Sequence, residues 1–147
     1  MTLKELVNST HVLRPNPIPS IPARNVSIIR YNLNMDNLTL LVEGNVVGSG
    51  NTNYTVDILF LSAEVNPVLI SDTIEIPLVR GTEKTTILLR RLKEAQTDVQ
   101  VSCVCSDYQF TFSYVNNEKG AHYNGVIPYK RKTTTYAPRN PKKINGL

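Results

Sequence analysis

The chain has 147 residues, 41% of them hydrophobic and only 19% charged, with no Trp, nine prolines and a formal net charge of +4. That length suits one domain able to bury a stable core without covalent staples, and the many Asn, Thr and Val residues argue against a helical or disordered chain. The charge is divided unevenly: residues 1–118 hold 9 basic and 12 acidic side chains, whereas Lys119, Lys130, Arg131, Lys132, Arg139, Lys142 and Lys143 come after them with no acid among them.

Thr2 and Glu5 stand in capping-box spacing ahead of Leu3, Leu6 and Val7, which predicts one or two helical turns over residues 2–8. Pro15, Pro17, Pro19 and Pro22 then forbid helix and set an extended arm in which Ile18 and Ile21 are the apolar side chains available for insertion into a partner. Residues 1–25 are therefore read as a short helix and a proline-rich N-terminal arm.

From Val26 the pattern becomes one of strands. Val26, Ile28 and Tyr31 open it, and NLTLLVEGNVVGSG and NYTVDILFLSAEV come next as two strands around a turn of Gly48, Gly50 and Asn51. A second group, VLI, TIEIPLV and TTILLRRL, comes after Pro67, with Gly81 between its last two members. EKTTILLRRLKEA suits a basic helix as well as a strand, and strand is the reading adopted for 82–95. Strands that return every 10 to 15 residues, with hairpin signals and no regular strand–helix alternation, predict a mainly β fold over 26–118, an antiparallel sandwich or barrel. NNEKGAHYNG reads as turn, and residues 119–147 as a basic, extended C-terminal arm.

The stretch VSCVCSDYQFTFSY, residues 101–114, carries both cysteines. Val99, Val101, Cys103 and Cys105 share one parity, and Tyr108, Phe110, Phe112 and Tyr114 the other, so a bulge or tight turn is expected near Ser106 and Asp107. In a strand the two cysteines point the same way, with Cα atoms about 6.5 to 7 Å apart, too far for a mutual disulfide unless the backbone kinks. They suit one metal ion better, with His122 as a third ligand and no obvious fourth, which is half of a zinc site.

No Gly-rich phosphate loop, Gly-x-Ser-x-Gly, His-Glu-x-x-His or calcium-loop spacing occurs. With His11 and His122 as the only histidines, no hydrolytic triad is indicated, and acids such as Asp57 and Glu64 read as solvated strand residues. The expectation is a protein that is not an enzyme. No basic region precedes a long apolar run and no stretch of about 18 apolar residues occurs, so neither a signal peptide nor a spanning helix is indicated and the chain is read as soluble, with the sequons at Asn8, Asn25, Asn37 and Asn53 unmodified. Tyr123, Tyr129 and Tyr136 interleave with Lys130, Arg131, Lys132 and Arg139. That pattern suits either stacking on single-stranded nucleic acid or anchoring of the arm in grooves of a partner protein.

VQVSCVCSDYQFTFSYVN, with YKRKTTTYAPRNPKKINGL after it, resembles the C-terminal part of structural proteins of large tailed bacteriophages. Over residues 99–147, a third of the chain, the resemblance implies a Cys-x-Cys and later Cys-x-His arrangement similar to SWIM-type zinc modules. The second pair is absent here, which leads to the expectation that residues 1–147 are a mature or truncated form of a longer polypeptide. Without it the cysteines are expected to be small strand residues and the cofactor expectation is none, with zinc as the alternative. The resemblance implies a virion component assembled in the host cytoplasm, a capsid-binding, neck or baseplate protein. Its partners would be other virion proteins and further copies of itself, reached through Ile18, Ile21, Tyr129, Lys130, Arg131, Lys132, Tyr136 and Arg139. The alternative function is a single-stranded nucleic-acid-binding module, and no membrane partner is expected.

Overall fold

The computed structural model describes residues 1–13, 26–48, 51–66, 68–106 and 108–123. Helix α1 (Leu3–Leu13) starts where the capping box places it: the Thr2 N–H donates to Glu5 Oε2 at 2.9 Å and the Glu5 N–H to Thr2 Oγ1 at 3.2 Å. It runs a turn and a half beyond the expected end, to Leu13.

Strands β1 (Val26–Asn34), β2 (Thr39–Val47) and β3 (Asn53–Phe60) form an antiparallel meander, and β6 (Val99–Cys103) pairs antiparallel with β3, giving the order β1-β2-β3-β6. β4 (Thr73–Arg80) and β5 (Glu83–Arg90) form a separate hairpin, turned by Gly81 at φ 63°. The fold is thus mainly β with two antiparallel sheets in a sandwich-like arrangement, and it does not close into a barrel. Of the segment 82–95, residues 83–90 are strand and the rest is turn and irregular backbone; VLI, residues 68–70, is exposed loop rather than strand.

Cross-strand partners share a face of a sheet. Leu33, Leu40, Phe60 and Val99 therefore line one side in a row, and Val42, Ile58 and Val101 line the next row. The opposite side is mostly polar, apart from the Leu41–Leu59 pair: Arg30, Glu43, Asp57 and Ser102 form a cross-strand row in which Arg30 Nη2 lies 2.8 Å from Glu43 Oε2 and Ser102 Oγ donates to Asp57 Oδ2 at 3.0 Å. Asp57 is thus on the strand as expected, whereas Glu64 lies in the loop after β3 and binds Arg90 at 2.7 Å.

The apolar side is covered in two patches. Ile76 and Leu89 of the β4–β5 hairpin pack with Leu33, Leu40 and Ala63, whereas Leu6 of α1 packs with Val99, Val101, Tyr108 and Phe112. Phe60 touches both patches and makes them one core. Leu6, Leu89 and Val101 are wholly buried, each contributing about 1.5 to 3 kcal/mol of transfer free energy.

The chain leaves the sheet after Cys103, just before the expected change of parity, but the segment from Tyr108 is not a strand. Tyr108–Phe112 is a π-helical turn continued by α2 (Ser113–Glu118), so the strand expected over 108–114 and the turn expected from Asn116 are both corrected to helix. The buried residues Tyr108, Thr111, Phe112, Val115 and Asn116 recur at helical intervals, and packing Tyr108 and Phe112 onto β6 chose that period over the alternation.

Candidate interaction surface

A β-strand at the border of a sheet presents unpaired N–H and C=O groups, and natural proteins cover, shorten or blunt such borders. The two sheets of this chain have four of them, the outer edges of β1, β4, β5 and β6. The outer edge of β6 is taken by its own chain: the Val99 N–H donates to the Met1 carbonyl at 2.8 Å, the Val101 N–H to the Ala121 carbonyl at 2.9 Å, and the Tyr123 N–H to the Val101 carbonyl at 3.0 Å. The outer edge of β5 is taken by residues 64–66, through Arg90 N–H to the Glu64 carbonyl at 2.8 Å and Asn66 N–H to the Leu88 carbonyl at 2.9 Å. β4 has no strand on its outer side among the described residues but carries Pro77, which has no N–H to offer an incoming strand.

β1 is neither covered nor shortened among the described residues, and the one device it carries is a bulge between Ile28 and Arg30. Its outer edge has no strand partner among the described residues, it contains no Pro or Lys, and its one charge, Arg30, is neutralised by Glu43. Its apolar side chains face solvent: Val26 is 68% exposed, Ile28 69%, Ile29 50% and Tyr31 44%. The pairing with β2 shifts by one residue between Ile28 and Arg30, a bulge opposite Gly44, where a Cβ would lie 3.2 Å from the Ser27 carbonyl oxygen. The bulge puts Val26 and Ile28 on the same side as Tyr31 and Leu33, so the apolar side continues past the hairpin that covers Leu33.

The cysteine region is a packed corner. The Cys105 N–H donates to Cys103 Sγ at 3.2 Å and the Tyr108 N–H to Cys105 Sγ at 3.4 Å, and both sulfurs are thiols packed against the Val99–Val101 core. Hydrogen bonding to Cys105, together with burial, pushes the Cys103 thiol above its ordinary range. The Tyr108 hydroxyl donates to the Val101 carbonyl at 2.7 Å and lies 2.9 Å from His122 Nδ1, with Asn116 Nδ2 donating to it at 3.3 Å. Its single proton is engaged by the carbonyl, which assigns the His122 proton to Nδ1 as a donor to the tyrosine oxygen. His122 thus stacks on Tyr108, ring centroids 6.0 Å apart, and continues the strip that runs along β6. Among the described residues, no three His, Cys, Asp or Glu side chains converge to hold a metal ion, so Cys103, Cys105 and His122 are near neighbours of Tyr108 without forming a ligand set.

Ile18, Ile21, Tyr129, Lys130, Arg131, Lys132, Tyr136 and Arg139 lie outside the described residues, within 14–25 and 124–147, as does the side chain of His11. No family model, curated protein or solved structure matches this chain. A cleft of about 200 Å³ between β5 and the loop after it holds Glu64, Arg90 and Lys93, but Arg90 is bound by Glu64 at 2.7 Å and by Asp72 at 3.4 Å, and Asp72 also meets Lys93 at 3.7 Å. These charges compensate one another. No helix of the described residues is long and apolar enough to cross a membrane.

Sequence reasoning that seeks partner contacts in the arms passes over the β1 surface. Its signal is the change from even positions (Val26, Ile28) to odd ones (Tyr31, Leu33), which marks a bulge, together with the lack of Pro and Lys along the strand.

Proposed function

We propose that this chain is a non-enzymatic structural component of a tailed-phage particle, a capsid-binding, neck or baseplate protein that links neighbouring subunits. The observation that carries the linking role is the β1 edge, which has no strand partner among the described residues and bears the exposed Val26, Ile28, Ile29 and Tyr31. Strand addition there would satisfy the backbone and bury the side chains at the same time. The phage setting is supported by the resemblance of residues 99–147 alone. In this role Ile18 and Ile21 and the Tyr/Lys/Arg tail add contacts, and the charge of the tail makes its share of the attraction weaken with salt.

Mass spectrometry of purified virions tests the assignment. The chain should be present in stoichiometric amount and β1 should be protected from hydrogen exchange there; absence from virions overturns the reading. Its rival, single-strand binding by the tail, predicts DNA affinity that falls steeply with salt and vanishes when residues 126–147 are deleted.

A further inference from the structure

We propose that β1 is a self-association edge: two copies pair β1 with β1 antiparallel across a two-fold axis, setting Val26 opposite Leu33 and Ile28 opposite Tyr31, and so join their four-stranded sheets. The inference rests on the reading of β1 as an assembly surface and names its occupant as a second copy of this chain.

The residue pattern of β1 points to that occupant. A two-fold contact places the same strip on both partners, so the strip must read alike in both directions. Taken by the face each residue occupies in the sheet, β1 runs inner at Val26, outer at Ser27, inner at Ile28, then, past Ile29 in the bulge, outer at Arg30, inner at Tyr31, outer at Asn32 and inner at Leu33. Around the midpoint between Ile29 and Arg30, inner residues meet inner ones (Val26 with Leu33, Ile28 with Tyr31) and outer meets outer (Ser27 with Asn32). Sliding one strand by one residue sets apolar side chains against polar ones, and sliding it by two leaves Val26 or Leu33 without an opposite number. The two bulges come face to face, with Ile29 of one copy opposite Arg30 of the other.

Charge and size agree with this occupant. Each Arg30 keeps its own Glu43 at 2.8 Å, so the strip is neutral and two copies do not repel along it. Eight paired residues span about 27 Å. An edge contact of that length lies at the small end of specific interfaces, below about 1,200 Å² in total, so the dimer should be reversible and dissociate on the order of micromolar concentration or above.

Analytical ultracentrifugation of the full chain, from roughly micromolar to sub-millimolar concentration, should show a concentration-dependent monomer–dimer equilibrium. Ile28→Lys should raise the dissociation constant about tenfold or more with unchanged circular dichroism, whereas Val79→Lys, at a residue 68% exposed on β4, should leave it unaltered. The double variant Ser27→Cys with Asn32→Cys should cross-link on mild oxidation with diamide, and peptide mapping should join position 27 of one copy to 32 of the other rather than to Cys103 or Cys105. That variant also decides the matter if Ile28→Lys fails to fold. A monomer at every concentration, a dimer indifferent to Ile28→Lys, or a cross-link in another register overturns the inference. None of these results touches the virion role, which is judged by the presence of the chain in particles.

Discussion

The outer edges of β6 and β1 bound the same four-stranded sheet and are treated in opposite ways. Along β6 the chain closes its own border, with Met1 at one end and Ala121–Tyr123 at the other, and anchors the second strip through the Tyr108 hydroxyl. The side chains behind that border, Leu6, Val99, Val101 and Phe112, are all buried. Along β1, nine residues of strand carry four exposed apolar side chains and no covering segment among the described residues. This fold is therefore able to close an edge and leaves one bare. The difference lies in where the helical segments fall: α1 and the π-helical turn Tyr108–Phe112 bring Leu6, Tyr108 and Phe112 onto β6, and Met1 and Ala121 bring adjoining backbone to its edge.

Removing the support of the closed edge should have the largest effect. Leu6→Ala opens a cavity beneath α1, which holds Met1 and Thr2 beside β6, and should cost about 2 to 5 kcal/mol in denaturant unfolding. Tyr108→Phe keeps the ring but leaves Asn116 and the His122 Nδ1–H without the tyrosine oxygen, and the Val101 carbonyl without its hydroxyl donor; the expected loss is about 1 to 3 kcal/mol. The same residue gives a pH signature. Burial raises the Tyr108 pKa in the folded state above its ordinary value of about 10, so its contribution is intact below pH 10 and is lost as pH rises beyond it; Tyr108→Phe should flatten that alkaline decline in thermal melts. Thr2→Ala removes half of the capping box and should lower stability by about 1 kcal/mol.

The smallest effects on stability should come from the open edges, where association responds instead. Ile28→Lys should shift unfolding by no more than about 0.5 kcal/mol, because its side chain is already in water. Pro77→Val should be equally mild in denaturant but should raise light scattering at high concentration, since it gives β4 the N–H that an incoming strand needs. A Pro77→Val protein that stays as dispersed as the parent would remove the contrast between the blunted edge and the bare one.

Local chemistry is legible wherever a few neighbouring residues settle a conformation. The capping box at Thr2 and Glu5, the turn at Gly81, the strand–turn–strand pattern on either side of Gly48 and Asn51, and the departure from the sheet after Cys103 all depend on short-range hydrogen bonds, φ preferences or side-chain parity. Contacts among residues far apart are less legible, because spacing says which donors are near in sequence and not which side chains meet; the neighbours of His122 are an example. His122 turns to Tyr108, a residue in no metal motif.

Read alone, the sequence specifies an antiparallel β protein with a capped helix at its start and an irregularity near Ser106 and Asp107, because alternation and turn chemistry are properties of a few adjacent residues. Tertiary packing settles that Tyr108–Glu118 is helical, since its apolar residues satisfy both periods and the surface of β6 selects between them. Packing also settles that β6 is closed by its own chain and that β1 has no covering strand among the described residues. Which strand borders a sheet depends on pairings between residues as far apart as Val101 and Ala121, or Val99 and Met1, and no local pattern encodes them.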